Sequence, residues 1–189
     1  MREKKPKKLK KRKDWLDLGC GNNLQNGFTG VDIIKKGTQA DIEWNLLKFP
    51  YPFEDNSIEK IFCSHFIEHI PHMDSAYDDY FYHFFDEIYR ILKKDGQATF
   101  IVPYYTSMRA IQDPTHHRSI GETTFLYVQK KWRKMNKLEH YPIKCDFEVV
   151  GMNHAISEEF NGRAQEAIQY AAAHSWNVVN DLIITLKKI

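Results

Sequence analysis

The sequence predicts an α/β domain built on an open, mostly parallel sheet, and three stretches carry that prediction. Trp15-Leu16-Asp17-Leu18 is a short apolar run that stops on Gly19-Cys20-Gly21, the pattern of a buried parallel strand entering a tight turn where missing side chains let a ligand approach the main chain. Gly30-Val31-Asp32-Ile33 reads as a second strand that ends in a carboxylate. Ile58 to Ser64, an aromatic-rich segment with a recurrence of three or four, and Gln97 to Val102 then read as strand, helix and strand.

The glycine turn lacks the third glycine that a dinucleotide fingerprint needs, because Asn22-Asn23-Leu24 follow. A ligand without phosphate fits better, and a nicotinamide oxidoreductase is disfavoured. Asp32, at the end of the second strand, is placed to accept both hydroxyls of a ribose; the plain alternative is a turn cap. Only Asn22 to Thr29 separates the turn from the second strand, and only Ile34 to Gln39 follows it. Both intervals are too short for a packed crossover helix, so one face of the sheet is expected to be thinly covered here. Asn22 and Asn23 are then available as polar contacts.

Ala40-Asp41-Ile42 reads as the end of a third strand, and Phe49 to Ser57, with two prolines, as a loop. The fourth strand delivers Ser64 and His65 to its carboxyl end, the edge where open α/β sheets bind ligands. His65 is a candidate base near neutral pH, and Glu68 either orients it or lines a pocket; equally, the Glu68-His69 pair only ties the loop together. From Ser75 to Lys94, Tyr77, Tyr80, Phe81, Phe84, Phe85, Ile88, Ile91 and Leu92 give one apolar helical face, with Lys93-Lys94-Asp95-Gly96 as its cationic, glycine-capped end. Pro103 stops the fifth strand.

Asp113-Pro114-Thr115-His116-His117-Arg118 lies in a long irregular stretch over the same edge, which makes His116 and His117 candidate bases. Three ligands within five residues do not readily turn to one ion, so no metal is expected. Gly121 to Lys137 looks helical, with Lys130, Lys131, Arg133, Lys134 and Lys137 on a solvated face. Asp146 to Met152 and Asp181 to Leu186 read as strands around a helix at about Gly162 to Trp176.

Six blocks in order resemble the class I S-adenosylmethionine-dependent methyltransferases, and within them a compact branch with shortened first crossover helices: Leu16 to Gly21, Val31-Asp32, Ala40-Asp41-Ile42, Phe53 to Ser57, Ser64 to Ile70, and Glu87 to Gly96. The resemblance implies a Rossmann-like, mostly parallel seven-stranded sheet with an antiparallel last strand, and S-adenosyl-L-methionine as cofactor. It implies cofactor contacts from Asp17, Gly19, Cys20 and Gly21 at the methionine end. Asp32 and Ile33 would meet the ribose side, Asp41 the adenine amino group with Ile42 stacking, and Ser64 and His65 the transfer site. Asp-Pro-x-His segments in this branch favour a lid or structural role for Asp113 to Arg118. There is no Asn/Asp-Pro-Pro-Tyr motif and no Pro-Cys pair for base methylation. The acceptor is open: a hydroxyl, amine or carboxyl on a small molecule, sugar or lipid, or else a protein side chain or RNA.

The length of 189 residues suits one domain, here residues 14–189 after a basic tail at 1–13. That tail carries nine Lys or Arg against one acid, leaving 18 bases and 24 acids in the body, so the overall charge of +2 hides a basic tail on an acidic domain. A solvated, disordered tail is the ordinary reading, with contact to nucleic acid or an anionic surface as the alternative. The alternative function is accordingly a non-catalytic nucleic-acid-binding protein on the same fold. No run is long enough to span a bilayer and no signal segment is seen, so a cytoplasmic protein is expected. Cys20, Cys63 and Cys145 are odd in number and far apart, as reduced, buried thiols would be.

Overall fold

A computed structural model of the chain describes residues 12–73 and 78–189. The basic tail therefore lies outside the described residues except for Arg12 and Lys13. Arg12 reaches back to the domain, pairing with Asp14 at 2.9 Å and Glu59 at 2.6 Å and lying over the Trp15 ring.

Seven strands build one sheet: β1 (Trp15–Leu18), β2 (Thr29–Asp32), β3 (Ile42–Glu43), β4 (Ile58–Ser64), β5 (Leu92–Pro103), β6 (Phe147–Ile156) and β7 (Val179–Lys188). Their order is β3-β2-β1-β4-β5-β7-β6. Pairs among β1 to β5 are parallel, and β7 runs antiparallel to both of its neighbours. The chain starts in the middle of the sheet, travels outward through β2 and β3, then returns to β4 and travels the other way. Strand order thus reverses between β1 and β4, which leaves a crevice beyond their carboxyl ends where such sheets bind ligands. Leu18 is level with Cys63, and Ser64 with Ile101, so the tips of β1, β4 and β5 stand side by side.

Alternation decides the core. Ile61 and Cys63 on β4, Ala98, Phe100 and Val102 on β5, and Leu182, Ile184 and Leu186 on β7 are buried on one face. Helix α1 (Tyr80–Ile91) covers that face with Phe81, Phe84, Phe85, Ile88 and Ile91, and the Phe85 ring lies 5.3 Å from Phe100. Asp79 caps the helix, its carboxylate accepting from the Phe81 amide at 2.7 Å. On the opposite face Phe62, Thr99, Ile101, Ile183 and Thr185 are only half-buried. The β1–β2 and β2–β3 connections contain turns and no helix, as their lengths predict.

Several boundaries differ from the sequence reading. Ser75 to Tyr77 lie outside the described residues, and α1 ends at Ile91 because Leu92 turns extended and opens β5. The left-handed residue at this junction is Asp95 (φ 63), not Gly96. Gly96 is needed for close approach instead: a Cβ there would stand 2.8 Å from the Lys93 carbonyl oxygen and 3.1 Å from that of Glu59. The helix expected over 121–137 splits into a single turn, Glu122–Leu126, and α2 (Lys130–Met135), separated by an extended Gln129. Arg133 does not join the exposed basic face; it is buried, and its guanidinium donates to the carbonyls of Tyr127 and Cys145 at 2.6 and 2.9 Å. The last helix, α3, spans Gln165–His174 and buries none of its residues.

Candidate active site

The glycine turn is held against β2 by main-chain bonds. The amides of Gly19 and Cys20 both donate to the Val31 carbonyl, at 2.8 and 3.4 Å. Gly19 (φ 71) and Gly21 (φ 46) adopt left-handed backbone, which disfavours side chains. Their surroundings differ. A Cβ on Gly19 would press on Phe66 at 3.2 Å, whereas one on Gly21 would meet nothing within 4 Å, so the turn is packed on one side and open on the other.

Asp32 closes the open side. Its two oxygens accept from the Gly21 amide at 2.8 Å and the Ile33 amide at 2.7 Å. Ile33 beside it is 59% exposed, an unusual place for an isoleucine and an apolar surface at the strand tip. Asp17 points to the face opposite Leu16 and Leu18, where it is 1% exposed and accepts from the Gln25 amide at 2.6 Å. Burial, reinforced by the charge of Asp32, pushes its carboxyl up to about 6. Burial also pushes the Cys20 thiol up to about 11, as suits a small buried hydrophobe.

The third strand is placed differently from the sequence reading. β3 begins at Ile42, so Asp41 precedes it instead of ending it. Glu43 is level with Asp32, and the Asp41 carboxylate accepts from the Gly30 amide at 2.9 Å, behind the tip. Ile42 packs partly against the core. The residues beyond the β3 tip are Trp44 and Asn45, and the Trp44 amide donates to the Asp32 carbonyl at 2.8 Å.

One strand further on, the tips of β4 and β5 open into a cavity of about 390 Å³, lined among others by His65, Glu68, His69, Arg109, Asp113 and His116. His65 follows Ser64 in left-handed backbone (φ 53), with its amide on the Ile101 carbonyl at 2.8 Å. A non-glycine residue so held is costly and gathers at functional sites. Its Nδ1 stands 3.3 Å from Glu68 Oε1, too far off line for a hydrogen bond, and its Nε2 is 3.9 Å from Asp181 Oδ1. Close polar contact with Glu68, with the charge of Asp181 adding, raises the His65 pKa against burial and the cation of Arg109. Arg109 in turn donates to Asp181 Oδ2 at 2.8 Å.

The Asp113 to Arg118 segment is laced to the loop after β4. The amides of His117 and Arg118 donate to the Glu68 carbonyl at 2.9 and 3.2 Å, and Arg118 reaches the carbonyls of Ile70 and Pro71 and the Asp79 carboxylate. The segment therefore brings His116 into the cavity beside His65. His117 is turned away to line a separate cavity of about 420 Å³ with His72, Phe81 and Tyr141. Sequence reasoning offered His116 and His117 alike; both border a further cavity of about 260 Å³, but only His116 also lines the one that holds His65. It also missed Asp181 and Arg109. Asp181 sits near the start of an antiparallel strand, so its position on the ligand-binding edge becomes visible only once the direction of β7 is known.

Residues 16–100 match a family model described as a methyltransferase domain. Among solved structures, the chain is similar to an S-adenosylmethionine-dependent methyltransferase from Archaeoglobus fulgidus, with a TM-score of 0.60 at 18% identity over 92% of this chain and 85% of that one. One from Methanosarcina mazei gives 0.55 at 14% identity over 96% and 95%. A putative one from Listeria monocytogenes gives 0.53 at 14% over 95% and 92%. No curated protein matches the chain in sequence. The fold is that of the class I S-adenosylmethionine-dependent methyltransferases. Over residues 16–100 the chain is similar to that methyltransferase-domain family, and the match and the fold together imply S-adenosyl-L-methionine as cofactor. The glycine turn that is open at Gly21 and the acid at the β2 tip fit a phosphate-free nucleoside. No helix among the described residues is long and apolar enough to cross a membrane.

Proposed function

We propose that the protein transfers a methyl group to a hydroxyl or amine of an acceptor seated in the cavity at the tips of β4 and β5. The observation that carries this reading is adjacency. The open glycine turn and Asp32 lie at the tips of β1 and β2, and the cavity with His65 begins at the very next strand. Bound S-adenosyl-L-methionine supplies an electrophilic methyl on a sulfonium, which leaves its bonding electron pair on sulfur.

The side chains then have limited tasks, since methyl transfer asks mainly for alignment and removal of a proton. Asp32 would take the ribose hydroxyls, giving up one of its two main-chain amides. Gly19 to Gly21 would face the methionine end, with the buried charge of Asp17 behind them and Cys20 packing beneath. Exposed Ile33 would cover the ring, and the adenine edge would fall beside the turn at Trp44 and Asn45, beyond Asp41 and Ile42. Ser64 would border the methyl. His65 would accept the acceptor's proton, the imidazolium being stabilised by Glu68 and Asp181. His116 lines the same cavity, while His117, which faces the other one, is not proposed as a base.

Calorimetry with S-adenosyl-L-methionine tests the cofactor half: saturable binding is expected, and no detectable affinity at millimolar ligand rejects it. Tritium transfer from labelled cofactor into a cell extract, followed by fractionation, tests the acceptor half. Label in a small hydroxyl or amine compound is expected, and label confined to nucleic acid would overturn that part.

A further inference from the structure

We propose that Glu68, His69 and His116 hold a divalent transition-metal ion of the zinc type at the wall of the acceptor cavity. One ligand atom from each of these residues lies within 4.8 Å of the other two. A tetrahedral shell with bonds near 2.05 Å places its ligands about 3.3 Å apart. Small rotations of the two rings and the carboxylate close that gap.

The hydrogen bonds around the histidines set both tautomers for such a task. His116 Nδ1 lies 3.0 Å from the Ala110 carbonyl oxygen, which only accepts, so Nδ1 carries the proton and Nε2 a lone pair. His69 Nδ1 lies 3.0 Å from the Thr115 hydroxyl. That hydroxyl donates to Asp113 Oδ1 at 2.7 Å, so it accepts from His69, and His69 Nε2 is also bare. Metal-bound histidines characteristically donate their second nitrogen to a carbonyl or, through a relay, to a carboxylate. The two rings stand edge to face with centroids 4.5 Å apart.

Glu68 supplies the second, independent observation. It is 1% exposed, and neither carboxylate oxygen has a hydrogen-bond partner among the described residues. His65 Nδ1 approaches Oε1 at 3.3 Å without a hydrogen bond, so the buried carboxylate keeps lone pairs for a positive charge on its other side. Two histidines and one carboxylate are a common set for catalytic zinc, with a fourth position left open. Here that position faces the cavity that also holds His65 and Arg109. The partner motif that the Asp113 to His117 segment lacks in sequence is thus Glu68-His69, brought to it by the loop after β4. Assigning the open position to an acceptor oxygen rests on the methyl-transfer reading; the ion site itself does not.

Cobalt(II), titrated into the full chain and followed by its visible absorption, tests the site without cofactor or acceptor. One equivalent with the intense bands of four- or five-coordination is expected, displaced by zinc. Affinity should fall at least about tenfold in Glu68→Gln and in His116→Ala. It should be unchanged in His174→Ala, an exposed histidine on α3. Glu68→Gln keeps side-chain shape, so it reports even if the histidine variant fails to fold, circular dichroism deciding which variant is read. Weak octahedral cobalt only, or affinity that is indifferent to Glu68→Gln and His116→Ala, overturns the proposal. Failure here alongside normal cofactor binding would leave the methyl-transfer reading standing, and the reverse result would leave the metal site standing.

Discussion

The two sides of the crevice treat their carboxylates in opposite ways. At the tips of β1 and β2, both oxygens of Asp32 accept from main-chain amides, Asp17 accepts from Gln25, and behind them Asp41 accepts from Gly30. At the tips of β4, β5 and β7, Glu68 is buried with no hydrogen bond to either oxygen, and Asp181 Oδ1 also has none among the described residues. The first side uses its acids to hold its own loops in place where crossover helices are missing. The second leaves Glu68 facing a cavity. A ligand at the first side must exchange bonds with acids that are already satisfied, whereas at the second side Glu68 and Asp181 keep oxygens without a hydrogen bond beside His65 and Arg109.

The largest expected effect breaks the comparison at Asp17, the buried acid behind the glycine turn. Asp17 titrates near 6 in the folded chain against an ordinary value of 3.8. The folded state therefore favours its protonated form. That stabilisation is complete below about pH 4 and lost as pH rises through 6. Asp17→Asn should then stabilise the unliganded protein by up to about 3 kcal/mol at pH 7 and hardly at all at pH 4. Denaturant melts at the two pH values check this, and equal effects at both would show that the Asp17 charge is not what destabilises.

Next comes Asp32→Ala, which removes a carboxylate serving both the loop and the proposed ribose contact. Affinity for S-adenosyl-L-methionine should drop at least tenfold, as the loss of charge-assisted hydrogen bonds worth about 1.5–3 kcal/mol implies. Calorimetry measures it, and unchanged affinity would remove Asp32 from the site. On the other side, Glu68→Gln should change the stability of the metal-free protein by no more than about 1 kcal/mol, since relief of the buried carboxylate is offset by its lost contact with His65. A loss of more than that in thermal melts would mean that the carboxylate is already satisfied. Smallest of all, His117→Ala should change stability by no more than about 0.5 kcal/mol and leave cofactor affinity untouched, because its exposed ring lies outside the crevice. A tenfold change in affinity would place His117 back in the site.

What was legible in the sequence was local. The bounds of β1 and β4 coincide with apolar runs ended by glycines or polar residues, and the missing crossover helices follow from interval length alone. The core face of α1 follows from its 3.6-residue recurrence, although its ends do not: Leu92 enters β5 where the Arg90 and Ile91 carbonyls accept from the Asn56 and Ser57 amides just before β4 instead of from a further helical turn. Arg133 was misread for the same kind of reason. A cation on a helical pattern looks solvated until three carbonyls surround it.

The chain's own residues were enough to establish a glycine turn, an acid at the second strand tip and a histidine at the fourth, because each depends on neighbours within a few positions. Only the packed sheet decided that Asp41 falls behind its strand tip, that His116 but not His117 joins His65, and that Arg109, tied to Asp181, and Glu68-His69 converge on one cavity. Those outcomes depend on register, strand direction and a loop folded back over 48 residues, and no local spacing encodes them.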